Sequence, residues 1–254
     1  MNNFLRISLI LTRTQLKSRY RSTFAGAIWV IVNPILLFIA HAIIFNQIVK
    51  INVPNYFLFL LASLIPWTFI VGNINMVTPI LVTNREFLNS FNLNPLVLII
   101  SQVLDNFINF LISFIVIFCG VFLYVGTSII DLSYLLIPIC VLNLLVFCLG
   151  ASILCSTMHV YFRDTQYFLN FINSIMYLLT PIFYPVEMVP QWAKIFVTLN
   201  PYFIMIHPFQ IIFNNYNELS MMNPLIGSSF LGWGILCFSL IIWNRQRDGM
   251  YAAL

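Results

Sequence analysis

The sequence predicts an all-α integral membrane protein with six transmembrane helices, and three observations lead there. Of its 254 residues, 61% are hydrophobic and only 7% charged, far from the roughly one quarter charged that globular domains carry. Several apolar runs exceed the roughly 20 residues that take a helix across about 30 Å of hydrocarbon, and the alternating pattern of a membrane β-barrel is absent. The basic residues also segregate by side once the runs are threaded through a bilayer.

Residues 1–24 precede the first run and carry Arg6, Arg13, Lys17, Arg19 and Arg21. The run that follows is too long for a signal-peptide core of about 7 to 15 residues and lacks a small-residue cleavage site, so this segment is expected to be retained. On a helical wheel Arg6, Arg13, Lys17 and Arg21 fall within about 80° of one another, opposite a mixed face of Phe4, Ile7, Ser8, Leu11 and Gln15. That stripe suits an interfacial helix lying on anionic headgroups; a simple positive-inside anchor accounts for it equally well.

Spans are expected at residues 25–49, 56–79, 96–125, 132–158, 165–185 and 225–243. A seventh apolar run, 195–213, contains TLNPYFIMIHPFQ, whose two prolines, histidine and polar groups a lipid-exposed span would have to satisfy internally. It is read as a broken, re-entrant or interfacial helical pair on the outer side. With six crossings, Arg6, Arg13, Lys17, Arg19, Arg21, Arg85, Arg163, Arg245 and Arg247 share the inner side with both termini. Only Lys50 and Lys194 lie opposite, a strong positive-inside bias. The inner loop TNREFLNSFNLNPL predicts a short amphipathic helix that ends near Asn94-Pro95 and places Phe87 and Phe91 four residues apart. It is either a loop helix resting on the membrane or a knob that enters a soluble partner.

The fifth span carries the clearest functional pattern. Arg163, Gln166, Tyr167, Asn170, Asn173, Ser174, Tyr177, Thr180, Pro181 and Tyr184 fall within about 140° of arc, and Phe168, Leu169, Phe171, Ile172, Ile175, Met176, Leu178, Leu179, Ile182 and Phe183 fill the remainder. Polar groups at bilayer depth either bond neighbouring helices or line a wet path. A stripe of amides, hydroxyls and tyrosines running the whole helix favours a path for a bulky, uncharged, hydroxyl-rich cargo such as a sugar chain. Trp29, Asn33, Ala40 and Gln47 form a weaker stripe on the first span. In the third span Ser101, Asp105 and Asn109 recur every four residues beside Gln102 and Asn106. Asp105, an acid well inside a span, is either functional or a structural hydrogen-bonding group.

Five cysteines without CxxC spacing read as small core residues, and three isolated histidines predict no metal site. Lys17-Ser18 follows Leu16 rather than a glycine-rich loop, so no nucleotide hydrolysis of the P-loop kind is expected. Scattered acids argue against an enzyme acting on polyprenyl-linked sugars, and a secondary transporter or channel would want more buried ionisable groups than Asp105 alone. No cofactor and no nucleic-acid partner are expected of this chain.

The segments RYRSTFAGAIWVIVNP (19–34), YFRDTQYFLNFINSIMYLLTPIFYP (161–185) and VPQWAKIFVTLNP (189–201), in this order and spacing, resemble the permease subunits of ABC-2 type exporters of bacterial surface polysaccharides, the O-antigen and teichoic acid branch. The resemblance runs over nearly the whole chain. It implies a permease that dimerises, pairs with two copies of a separate ATPase that binds ATP and Mg, and exports an undecaprenyl-pyrophosphate-linked glycan across the bacterial inner membrane. It also implies that the first and fifth spans line the channel and that residues 187–216 form an outer gate. Residues 83–93, with Arg85, Glu86, Phe87 and Phe91, would be the coupling helix to the ATPase, and Arg6 to Arg21 the interface helix. Gln210 stands where an arginine is often seen, and His207-Pro208 also departs from the pattern. Arg163, on the polar face at the inner mouth, is expected to receive the carrier's pyrophosphate or else only to orient the chain. Asp164 is expected to cap the fifth helix.

Overall fold

The computed structural model describes residues 3–21, 26–50, 53–91, 93–126, 132–213 and 218–253, all of whose regular structure is helical. Residues 1–2, 22–24, 25, 92 and 214–216 of the expected segments lie outside the described residues. In chain order the helices are α1 (Asn3–Arg21), α2 (Gly26–Ala42), α3 (Tyr56–Val77), α4 (Ile80–Thr83), α5 (Arg85–Phe91) and α6 (Pro95–Val125). They continue as α7 (Ile137–Tyr161), α8 (Thr165–Leu179), α9 (Gln191–Thr198), α10 (Pro201–Phe213) and α11 (Glu218–Ala253).

Four stretches are long and apolar enough to cross a bilayer: Tyr56–Thr83, Pro95–Tyr124, Leu132–Tyr161 and Met222–Arg247. They correspond to the second, third, fourth and sixth expected spans. The fifth is shorter than the sequence implied, whereas the first, α2 with the π-helical turn that continues it, runs from Gly26 to Ile48, close to the expected 25–49. α2 has 17 residues and passes into a π-helical turn, Ile43–Ile48, whose wider winding often marks a functional hinge. α8 has 15 residues, about 22 Å of rise against about 30 Å of hydrocarbon. It stops because Pro181 lacks an N–H and pushes Thr180 into the extended region. The seventh run does form a broken pair: α9 and α10 meet at 97° across Leu199-Asn200.

α3 is the axis of the bundle. Leu60, Leu61, Leu64 and Ile70 are fully enclosed, with Phe110 and Phe114 of α6, Leu144 and Phe147 of α7, and Ile206 and Phe209 of α10 in the same cluster. A helix apolar on every side is one that its neighbours surround. The closest helix pair is α7 with α11, and small residues set its spacing. A Cβ on Gly150 would lie 2.7 Å from the Leu236 backbone nitrogen, and one on Gly232 would lie 3.1 Å from the Asn143 carbonyl. Asn143 Nδ2 then donates to Ser228 Oγ (3.2 Å) and Ser229 Oγ (2.8 Å), so polar bonds and backbone proximity hold helices that lipid would otherwise solvate.

α1 packs on α6 through its mixed face. Ser8 and Thr12 are buried there, and the Thr12 hydroxyl lies 2.9 Å from the Ser8 carbonyl and 3.3 Å from that of Ser101. The polarity that blurred this face in the wheel therefore belongs to a helix–helix contact. Arg6, Arg13 and Lys17 stay exposed opposite it. Asn94 accepts from the Leu96 N–H at 3.1 Å and, with Pro95 in the first turn, starts α6. Cys140 and Cys148 are buried as core residues, whereas Cys119 and Cys237 are exposed, on faces turned away from the bundle.

Gly150→Val should force α7 from α11 and lower stability by roughly 1–3 kcal/mol, the usual cost of overpacking. Gly234→Ala, where a Cβ meets nothing within 4 Å, should leave the unfolding midpoint in detergent nearly unchanged.

Candidate functional site

α8 begins after an exposed Arg163-Asp164 pair. Asp164 occupies the N-cap position, but its backbone is already right-handed helical and its side chain makes no capping bond, which corrects the expectation. Capping through a side chain requires an extended backbone at that position. The Thr165 hydroxyl instead donates to the Phe162 carbonyl at 2.6 Å.

The polar face of α8 divides in two. Tyr167, Asn170 and Ser174 are exposed, Tyr167 at 77%, whereas Asn173 is buried and Tyr177 half-buried. Asn173 Nδ2 donates to Asn75 Oδ1 of α3 (3.0 Å), and its Oδ1 accepts from the Tyr202 hydroxyl of α10 (2.8 Å). Tyr177 meets His41 Nε2 of α2 at 2.8 Å, while His41 Nδ1 reaches the Leu37 carbonyl at 2.7 Å. The His41 ring stacks on Phe183 at 5.0 Å, and Phe183 on Phe45 at 4.3 Å, joining α2 to the segment beyond α8.

Beyond Leu179 the wheel no longer applies, because the chain is not helical. Thr180, expected on the polar face, is fully buried and accepts from Asn200 Nδ2 at 2.8 Å. Tyr184, also expected there, folds back to donate its hydroxyl to the Leu178 carbonyl at 3.0 Å. Ile182 and Phe183, placed on the apolar arc, are buried inside the chain. Gln210 donates to the Pro181 carbonyl (2.7 Å) and to Ser63 Oγ (2.8 Å), so the residue that departs from the family pattern has a defined structural role.

Between α3 and α8 lies a cavity of about 550 Å³ lined by Trp67, Val71 and Asn75 on one side and Asn170, Asn173, Ser174, Tyr177 and Leu178 on the other. Sequence reasoning found the α8 half and missed the α3 half. The available signal was the pair of asparagines in VGNINMV, set within an otherwise apolar run. Trp29 and Asn33 of α2 do not line this cavity. Both are exposed, Trp29 at 57%, and within one chain α2 reaches α8 through His41 instead.

Asp105 is fully buried and belongs to a chain of amides joining three helices. Gln102 Nε2 donates to Asp105 Oδ2 (3.2 Å) and to Asn106 Oδ1 (3.3 Å). Asn106 Nδ2 donates to Asn73 Oδ1 of α3 (3.1 Å), and Asn73 Nδ2 to Ser152 Oγ of α7 (2.7 Å). Among the described residues no His, Cys, Asp or Glu cluster could hold a metal ion.

The loop helix α5 exposes Arg85 and Glu86. Leu88 is buried beneath it, Phe87 packs on Phe91 at 5.0 Å between ring centres, and Phe91 projects at 65% exposure. At the other end of the bundle, Glu187 is exposed on a short 3-10 turn before α9.

The ABC-2 type transporter family matches residues 8–214. The chain is also similar to the O-antigen export system permease protein RfbA of Klebsiella pneumoniae, at 31% identity over 244 residues, covering 94% of this chain and 91% of that protein. A second Klebsiella pneumoniae RfbA is 29% identical over 244 residues, and the RfbA of Myxococcus xanthus is 25% identical over 248, with the same coverage of both chains. That match spans most of an all-helical, membrane-crossing chain, and the protein belongs to the ABC-2 type transporter family.

Proposed function

We propose that this chain is the permease subunit of an ABC transporter that exports undecaprenyl-pyrophosphate-linked O-antigen, or a related surface polysaccharide, across the bacterial inner membrane. The observation that carries the reading is the polar, aromatic inner face of α8 over an uncharged cavity, in a chain similar to O-antigen export permeases along nearly its full length. Such a surface offers hydrogen bonds and ring faces to a glycan without fixing any one sugar. α2 and α8 supply the walls of the path: both leave large apolar residues exposed in the single chain, as helices do that meet a second copy. Two permeases and two ATPase subunits then make the working assembly, with six crossings and both termini cytoplasmic.

Phe91 is the knob of α5 that enters the ATPase, with Arg85 and Glu86 at its rim and Phe87 bracing it. ATP binding and hydrolysis in that partner move the knob, and the rigid bundle passes the movement to α2 and α8. Arg163 receives the pyrophosphate of the lipid carrier at the inner mouth through a charge-assisted bond.

Phe91→Ala should weaken co-purification of the ATPase by about 30-fold, the loss of one interface anchor. The same variant should leave the unfolding midpoint unchanged, since the side chain is exposed. Arg163→Ala should reduce ATPase stimulation by the lipid-linked carrier by about tenfold or more, given roughly 1.5–3 kcal/mol for a hydrogen bond to a charged group. Unchanged stimulation, with normal insertion, would leave Arg163 as an orientation signal only. Gradient-driven uptake by this chain alone in proteoliposomes would overturn the whole reading.

A further inference from the structure

The cavity between α3 and α8 also bears on the charge of the cargo, an inference that rests on the polysaccharide reading above. Its described lining contains Trp67, Asn75, Asn170, Asn173, Ser174 and Tyr177, and none of its described residues is charged. Its volume, about 550 Å³, falls in the range of small-molecule sites.

The hydrogen-bond polarity of the wall follows from its neighbours. The Leu37 carbonyl can only accept, so His41 Nδ1 carries a proton toward it, and Nε2 shares a hydrogen bond with the Tyr177 hydroxyl at 2.8 Å. Tyr177 is left with lone pairs to offer. The Ser174 hydroxyl donates to the Asn170 carbonyl at 2.9 Å and likewise keeps its lone pairs. Asn75 has its oxygen taken by Asn173, leaving the NH₂ group as its remaining donor, and the exposed Asn170 amide offers both kinds. Trp67 and Tyr177 add ring surface, their centres 5.9 Å apart.

A sugar hydroxyl donates and accepts at once, so it pairs with such a mixed wall. A carboxylate or phosphate only accepts. Here it would find the amide N–H groups of Asn75 and Asn170 beside the lone pairs of Tyr177 and Ser174, but no cation among the described lining to balance its charge. The nearest basic residue in sequence, Arg163, precedes the first turn of α8 and lies seven positions before Asn170. We propose that the α3/α8 cavity is a subsite for an uncharged pyranose of the glycan, and that it discriminates against uronic acids and phosphorylated sugars. Arg163 serves the anionic linkage at the mouth, and the cavity serves the neutral chain.

The full chain in lipid nanodiscs, titrated with a linear neutral hexahexose and with a hexauronate of equal length, tests this by equilibrium dialysis. The neutral oligomer should bind at least about tenfold more tightly, the order of loss expected when one polar group is left without a partner. Ser174→Lys, at an exposed position, should reverse the preference. Trp67→Ala, checked for folding by its unfolding midpoint, should weaken the neutral oligomer by a similar factor. Equal binding of both oligomers overturns the charge discrimination. Insensitivity to Ser174→Lys, or no binding of the neutral oligomer at all, overturns the subsite. The polysaccharide reading is scored separately, by whether deleting the chain removes glycan from the cell surface, so either idea can fail alone.

Discussion

Pro181 sets the terms for much of this structure. A proline ends α8 with no N–H to give back to the Tyr177 carbonyl, and the following backbone is buried away from water, where an unmet carbonyl is costly. Side chains from elsewhere meet that demand in sequence: Tyr184 bonds the Leu178 carbonyl, Gln210 that of Pro181, and Tyr56 that of Phe183 at 3.2 Å. Asn200 holds the Thr180 hydroxyl in the same stretch. Because three of these four donors sit on α3, on α10 and at the α9–α10 bend, satisfying one broken helix ties the α9–α10 pair to the central helix.

The same physics explains why amides recur inside the bundle. Apolar burial does little to hold helices together in lipid, so small residues and polar bonds carry association. Asn73 connects α3 to α6 and α7, Asn143 connects α7 to α11, and Asn173 connects α8 to α3 and α10. Asp105 sits within the first of these groups, which accounts for an acid at that depth as part of the scaffold. What remains exposed on α8, namely Tyr167, Asn170 and Ser174, is the polar surface that packing has not used. That division separates an amide that ties helices together from one left open on the surface.

α8 meets the bundle through Asn173 and Tyr177 and through Leu169 and Met176, which pack on the core. Phe168, Phe171 and Leu178 stay exposed on its other side, and the π turn after α2 lies at the far end of the His41–Tyr177 contact.

By itself, the sequence determined the class of protein, the four long spans, the broken seventh run, the short loop helix that pairs Phe87 with Phe91 and the polar side of α8. All of these follow from local composition and from periodicity within a single element. Tertiary structure alone decided that Thr180 and Tyr184 leave the helical face, that Asp164 makes no cap, and that Trp67, Asn75 and His41 join the site. His41 and Tyr177 are 136 residues apart, and Ser63 and Gln210 are 147 apart. Periodicity says which way a side chain points from its own axis. Which helix stands in that direction, and whether a proline has ended the axis first, is settled only when the helices pack.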